Sequence, residues 1–186
     1  MERNTLINIK NKFGGMDSHK NQLFLNVLAQ YLECKTIDLL KNKYKKTLGY
    51  QYIRVTVQDS NTRYAHYIDN YFRVYFYDNK TKYDSYSAAC QINFSVNELF
   101  GNCSTAVINN IDTTGVYGAA PEFYSLGLEL AEDVADIFGY TCLTYTTSDD
   151  ASANLKLKPY LAETFAIVDQ YKNKRGGLIT VFNKTI

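Results

Sequence analysis

The chain has no tryptophan and only 2 prolines in 186 residues, so it holds neither a polyproline linker nor an extended proline-rich tail. Histidine is almost as scarce. His19 and His66 stand alone, and no Ser–His–Asp or Cys–His arrangement can be assembled around them. The four cysteines, Cys34, Cys90, Cys103 and Cys142, form no CxxC pair, which argues against a structural zinc site and for reduced, buried, inert thiols. No apolar run approaches the length that spans a bilayer, and residues 1–12 lack the core of a signal peptide. A soluble, cytoplasmic protein is expected. Neither charge prevails: 20 basic against 19 acidic side chains leave a net charge of +1, without the basic excess that a nucleic-acid partner calls for.

What is present describes an ordinary globular chain, 46% apolar and 21% charged, well above the polarity of a disordered segment. Its length favours a single domain over residues 1–186, and a core burying about two-thirds of the unfolded surface. Tyrosine is abundant, with 17 copies beside 10 phenylalanines. Such residues fit pleated strands and also furnish binding surfaces.

Period and punctuation divide the chain. Residues 1–16 are polar and include Gly14-Gly15, which predicts a flexible lead-in. Asp17 or Ser18 then caps a helix carrying Leu23, Phe24, Val27, Leu28, Tyr31 and Leu32 on one stripe, with a second short helix through Ile37, Leu39 and Leu40. The lysines of 41–46 fit a solvated helix end. From Gly49 the period becomes two: Tyr50 to Val57 predicts a strand, and residues 71–77 and 81–94 around Asp78-Asn79-Lys80 predict an antiparallel hairpin. Cys103 to Ile111 is a further strand, and Thr113 to Ala120 a small-residue loop. Pro121 starts a helix through Phe138 that Gly139 stops. A strand at 140–146 leads to Ser148, Asp149, Asp150 and Ser152, possible caps for a helix through Ala162. Strands at 165–171 and 178–182 around the turn Asn173-Lys174-Arg175-Gly176-Gly177 close the chain.

This order, and residues 103–186 in particular, resembles the GCN5-related N-acetyltransferase (GNAT) family. The matching features are the strand 103–111, the turn Gly115–Ala120, the helix ending at Phe138-Gly139-Tyr140, Asn154, Tyr160 ahead of Thr164-Phe165, and residues 173–176 with Lys184 at the close. The resemblance implies an α+β fold, a mostly antiparallel central sheet flanked by helices. It implies acetyl-CoA as co-substrate, with a glycine turn whose backbone N–H groups hold a pyrophosphate, here Gly115, Val116, Tyr117, Gly118 and Ala119, and with Asn154 nearby. It further implies Tyr160 as general acid for the departing thiolate. Asp112, the nearest ionisable group, is the candidate base, and the acceptor is an unspecified small-molecule or protein amine.

A second reading stays open at this point: a non-catalytic structural or interaction protein on the same scaffold, such as a phage assembly component, self-associating or binding a partner through residues 71–94 and virion-associated. The Tyr-, Asn- and Lys-rich, tryptophan-free composition suits such a protein, since a fold does not fix a function.

Overall fold

The computed structural model describes residues 3–13, 18–44, 52–60, 69–77, 88–99, 102–115 and 121–186. Among them, four helices and seven strands follow the order α1 (Arg3–Phe13), α2 (Ser18–Asn42), β1 (Tyr52–Ser60), β2 (Asp69–Tyr77), β3 (Cys90–Leu99), β4 (Asn102–Gly115), α3 (Pro121–Ile137), β5 (Cys142–Ser148), α4 (Ser152–Thr164), β6 (Ala166–Lys172) and β7 (Leu178–Thr185). The strands form one sheet in the order β1-β2-β3-β4-β5-β7-β6. Every neighbouring pair is antiparallel except β4 and β5. This is the mostly antiparallel α+β sheet that the resemblance implied.

Alternation sorts the side chains of β1 to β4 onto two unlike faces. On one face lie Ile53, Val55 and Val57, then Phe72, Val74 and Phe76, then Cys90, Ile92, Phe94 and Val96, all buried in the core. Helix α3 packs there: the Phe123 ring meets Phe76 edge-on at 5.1 Å, and the missing side chain of Gly127 lets its backbone settle on Ile92 and Ile111. The Leu126, Leu130, Val134 and Ile137 positions are buried as their helical spacing predicts. Gly139, at φ +80, ends the helix.

The acidic side of α3 ties it to its neighbours. Glu129, Glu132, Asp133 and Asp136 recur at helical spacing and meet Lys43, Lys184, Lys35 and Arg3 respectively. Tyr31 of α2 donates to Asp133 at 2.6 Å, and Tyr44 donates to Glu129 at 2.6 Å. The lysine run is therefore partly committed: Lys43 pairs across to α3 instead of only ending a helix in solvent.

The structure departs from the sequence expectations at several places. Residues 3–13 form α1, with Leu6 buried and Arg3 bound to Asp136, where a flexible segment is predicted. The two predicted helices of 18–42 are one, because no glycine or proline interrupts them and the Thr36 hydroxyl is satisfied by the Leu32 carbonyl at 2.7 Å. Strand β4 runs on to Gly115, through what reads as a loop. Cys34 and Cys103 are exposed, not buried. The hairpin turn at 78–80, with 81–87, lies outside the described residues. In β2, Phe72 and Val74 through Tyr77 are buried, and Tyr71 and Arg73 are the half-exposed side chains among those described.

Candidate functional site: a split between two parallel strands

Strands β4 and β5 pair only from Thr105 with Cys142 to Ile108 with Tyr145. Beyond that point β4 continues to Gly115 along β3, while β5 continues to Ser148 along β7. The two strands part, leaving the outer edge of residues 109–115 without a strand partner among the described residues. The cause is visible in the register. Ser95 faces Asn110 and Val96 faces Ile108, so Asn109 is an extra residue in β4. Such a bulge bends and twists its strand and ends pairing on its far side. An opening at the carboxyl ends of parallel strands is where ligands of open sheets bind.

The walls of the split come from separate elements. Gly115, at φ +107, closes β4. Its missing Cβ leaves room for the Cys90 backbone, whose Cα would otherwise lie 2.6 Å away. Helix α3 begins at Pro121, with Glu122 in its first turn. From β5, the buried Tyr145 reaches across: the Ile111 N–H donates to its hydroxyl. Thr113, nearer the end of β4, has a buried hydroxyl oxygen without a hydrogen-bond partner among the described residues. That unmet group points to a ligand or water at this end of the strand.

Burial, offset in part by the Ile111 N–H and reinforced by Tyr124, pushes the Tyr145 hydroxyl up to about 12. The sign follows. A tyrosine in the unfolded chain releases its proton near pH 10 while the folded one retains it, so this contribution is intact below pH 10 and is lost as pH rises to 12. Two pKa units correspond to about 3 kcal/mol. Urea midpoints measured at pH 9 and pH 11.5 should therefore fall steeply in the wild type. In Tyr145→Phe the fall should be smaller, on top of about 1–3 kcal/mol lost at neutral pH because the Ile111 amide is left unsatisfied. Equal alkaline sensitivity in both proteins would dissociate Tyr145 from the effect.

Tyr160 lies half-buried on α4. Its hydroxyl is raised above the ordinary tyrosine value by burial first, then by the charges of Glu122 and Glu163. Pro159 precedes it within the helix and cannot donate to the carbonyl one turn back. Asn154 is in the first turn of α4, half-buried, its N–H bonded to the Ala151 carbonyl at 3.0 Å. Two of the predicted caps are used elsewhere: Ala151 is the N-cap, without a side-chain bond, while Asp149 binds Lys158 and Asp150 accepts from Asn173 at 2.6 Å. Asp112 sits across from Asn93 on β4, on the sheet face away from α3. Asp112 and Tyr160 thus sit on different elements, β4 and α4, and no hydrogen bond or ion pair joins them among the described residues. Of the predicted phosphate turn, Gly115 is the described member; Val116, Tyr117, Gly118 and Ala119 lie outside the described residues. Tyr145 and Thr113 escaped the sequence reading, since Tyr145 reads only as a strand position and Thr113 as part of a small-residue loop.

No protein-family model and no curated protein matches this chain. Among solved structures it is similar to a chain of the NatC complex bound to Gag peptide and CoA, at 15% identity and a TM-score of 0.44, over 61% of this chain and 70% of that one. It is likewise similar to a GCN5-related N-acetyltransferase from Brucella melitensis, at 10% identity and a TM-score of 0.44, over 63% of this chain and 51% of that one. At this distance the fold class rests on the chain's own strand pairing: an α+β domain whose mixed sheet splits at its one parallel pair among the described strands.

Proposed function

We propose that the protein is an acyl-CoA-dependent N-acetyltransferase acting on an amine. One observation carries this reading: the β4–β5 split, which begins at the Asn109 bulge and leads toward Gly115 and the start of α3. An unpaired strand edge offers N–H and C=O groups in the pattern that binds amides, and the pantetheine arm of coenzyme A carries amides. Thr113 adds a buried hydroxyl that lacks a partner among the described residues. Acetyl-CoA, as co-substrate, supplies an activated acetyl thioester. Asp112 takes a proton from the acceptor amine as it attacks, and Tyr160, kept protonated by burial and by Glu122, gives one to the departing sulfur.

A thermal or denaturant titration with acetyl-CoA tests the reading. At 100 times the dissociation constant the fold should gain about 2.7 kcal/mol; no gain at millimolar ligand overturns it. A second reading has its own observation. Residues 113–120 contain neither lysine nor arginine, and Pro121 lacks an N–H at the helix start. Both weaken a pyrophosphate site and favour a non-catalytic interaction protein on this scaffold. That reading requires an absent titration response together with self-association in light scattering.

A further inference from the structure

The face of the sheet turned away from α3 is polar, and part of it is buried without being satisfied. Asn93, Ser95 and Asn97 follow one another along this face of β3, each nine-tenths or more buried. Asn93 Oδ1, Asn97 Oδ1 and Asn97 Nδ2 have no hydrogen-bond partner among the described residues. Each such group costs about 1–3 kcal/mol of desolvation, and native proteins keep few of them. The neighbouring strands show what surrounds the row. Arg73 faces Asn93 from β2, Tyr71 faces Ser95, and Asn110 and Asp112 of β4 face Ser95 and Asn93. Arg73 is already engaged, hydrogen-bonded to Tyr75 and lying 5.1 Å from the Tyr71 ring. Asn109 and Asn110 are exposed. The buried row therefore lies beside the stretch of β4 that carries the exposed Asn109 and Asn110 and, opposite Asn93, Asp112.

We infer that the Asn93–Asn97 row is the acceptor subsite, and that it takes a polar amine bearing hydroxyl or amide groups along its length. The inference rests on the acetyltransferase reading for the reaction but not for the binding. Two free amide oxygens ask for donors and one free amide nitrogen asks for an acceptor, a set that a hydroxylated or amide-bearing ligand supplies and an alkylamine does not. Asn93 and Asn97 are four residues apart on one face, about 13 Å along the strand, so the ligand is elongated. A site with buried polar groups left open discriminates strongly against analogues that cannot pair with them.

The test compares wild type with Asn97→Leu and Asn93→Leu by calorimetric titration with amino sugars, amino-acid amides and n-hexylamine, each with and without acetyl-CoA. The polar amines should bind the wild type and n-hexylamine should not. Each leucine variant should weaken polar-amine binding at least tenfold and leave acetyl-CoA binding unchanged. Without ligand, the leucine variants should melt at or above the wild-type temperature, because they remove unpaired polar atoms. A purely structural role for the asparagines predicts a lower melting temperature with unchanged amine binding, and that result overturns the inference. So does a wild type that binds none of the polar amines, or that binds n-hexylamine equally well. Polar-amine binding that depends on Asn97, without any acetyl-CoA binding, would sink the acetyltransferase reading and leave the subsite standing.

Discussion

Gly115→Ala should destabilise the protein by about 3–5 kcal/mol, a large share of the roughly 5–15 kcal/mol that holds a typical domain together. Two costs combine. The backbone at Gly115 is at φ +107, where an L side chain is strained by about 1–3 kcal/mol. The added methyl would also fall 2.6 Å from Cys90 Cα and 2.7 Å from Cys90 Cβ, and overpacking against a strand that cannot yield adds about 1–3 kcal/mol. Gly176 provides the internal control. Its φ of +85 is also left-handed, but an added Cβ has no neighbour within 4 Å, so Gly176→Ala should show the strain cost alone, about 1 kcal/mol. Denaturant midpoints of the two variants decide the matter. If Gly115→Ala costs no more than Gly176→Ala, then the close approach of β4 to Cys90 does not shape the end of the strand.

Tyr160→Phe should lower turnover by about 10²–10⁴-fold, equivalent to roughly 3–5 kcal/mol of transition-state stabilisation. Acetyl-CoA affinity and folding stability should change little, since the ring remains and only the hydroxyl goes. The pH profile offers a second readout. Burial, Glu122 and Glu163 raise the Tyr160 hydroxyl above its ordinary value, so the wild type should keep its activity through neutral pH and lose it on an alkaline limb above pH 10. That limb should vanish in the variant. Turnover within twofold of wild type, measured in a protein that still binds acetyl-CoA, would remove Tyr160 from proton transfer and leave it as a packing residue of α4.

Some of this was open to inspection in the residues themselves. Leu126, Leu130, Val134 and Ile137 recur at a helical period, so α3 and its buried face follow from spacing, and Gly139 ends it because a left-handed residue is needed there. The polar row of β3 is not readable: the predicted strand stops at Phe94, whereas β3 runs on through Ser95 and Asn97 to Leu99. Nor is the burial of Asn93, Ser95 and Asn97, since alternation predicts a solvated face for such residues. The chain from 1 to 16 misleads because α1 owes its place to tertiary contacts, Leu6 in the core and Arg3 on Asp136, more than to local propensity. Ser148, Asp149 and Asp150 read as caps of α4, yet Lys158 and Asn173 compete for two of them.

The order of elements from β1 onward, the buried face of α3 and the stop at Gly139 were determined by the sequence alone, because they depend on interactions within a few residues. The split between β4 and β5, the Asn109 bulge, the Tyr145 hydroxyl on the Ile111 amide and the position of Asp112 opposite Asn93 were decided by tertiary structure. Each depends on register between strands distant in the chain, and a shift of one residue in that register would send every one of these side chains to the other face.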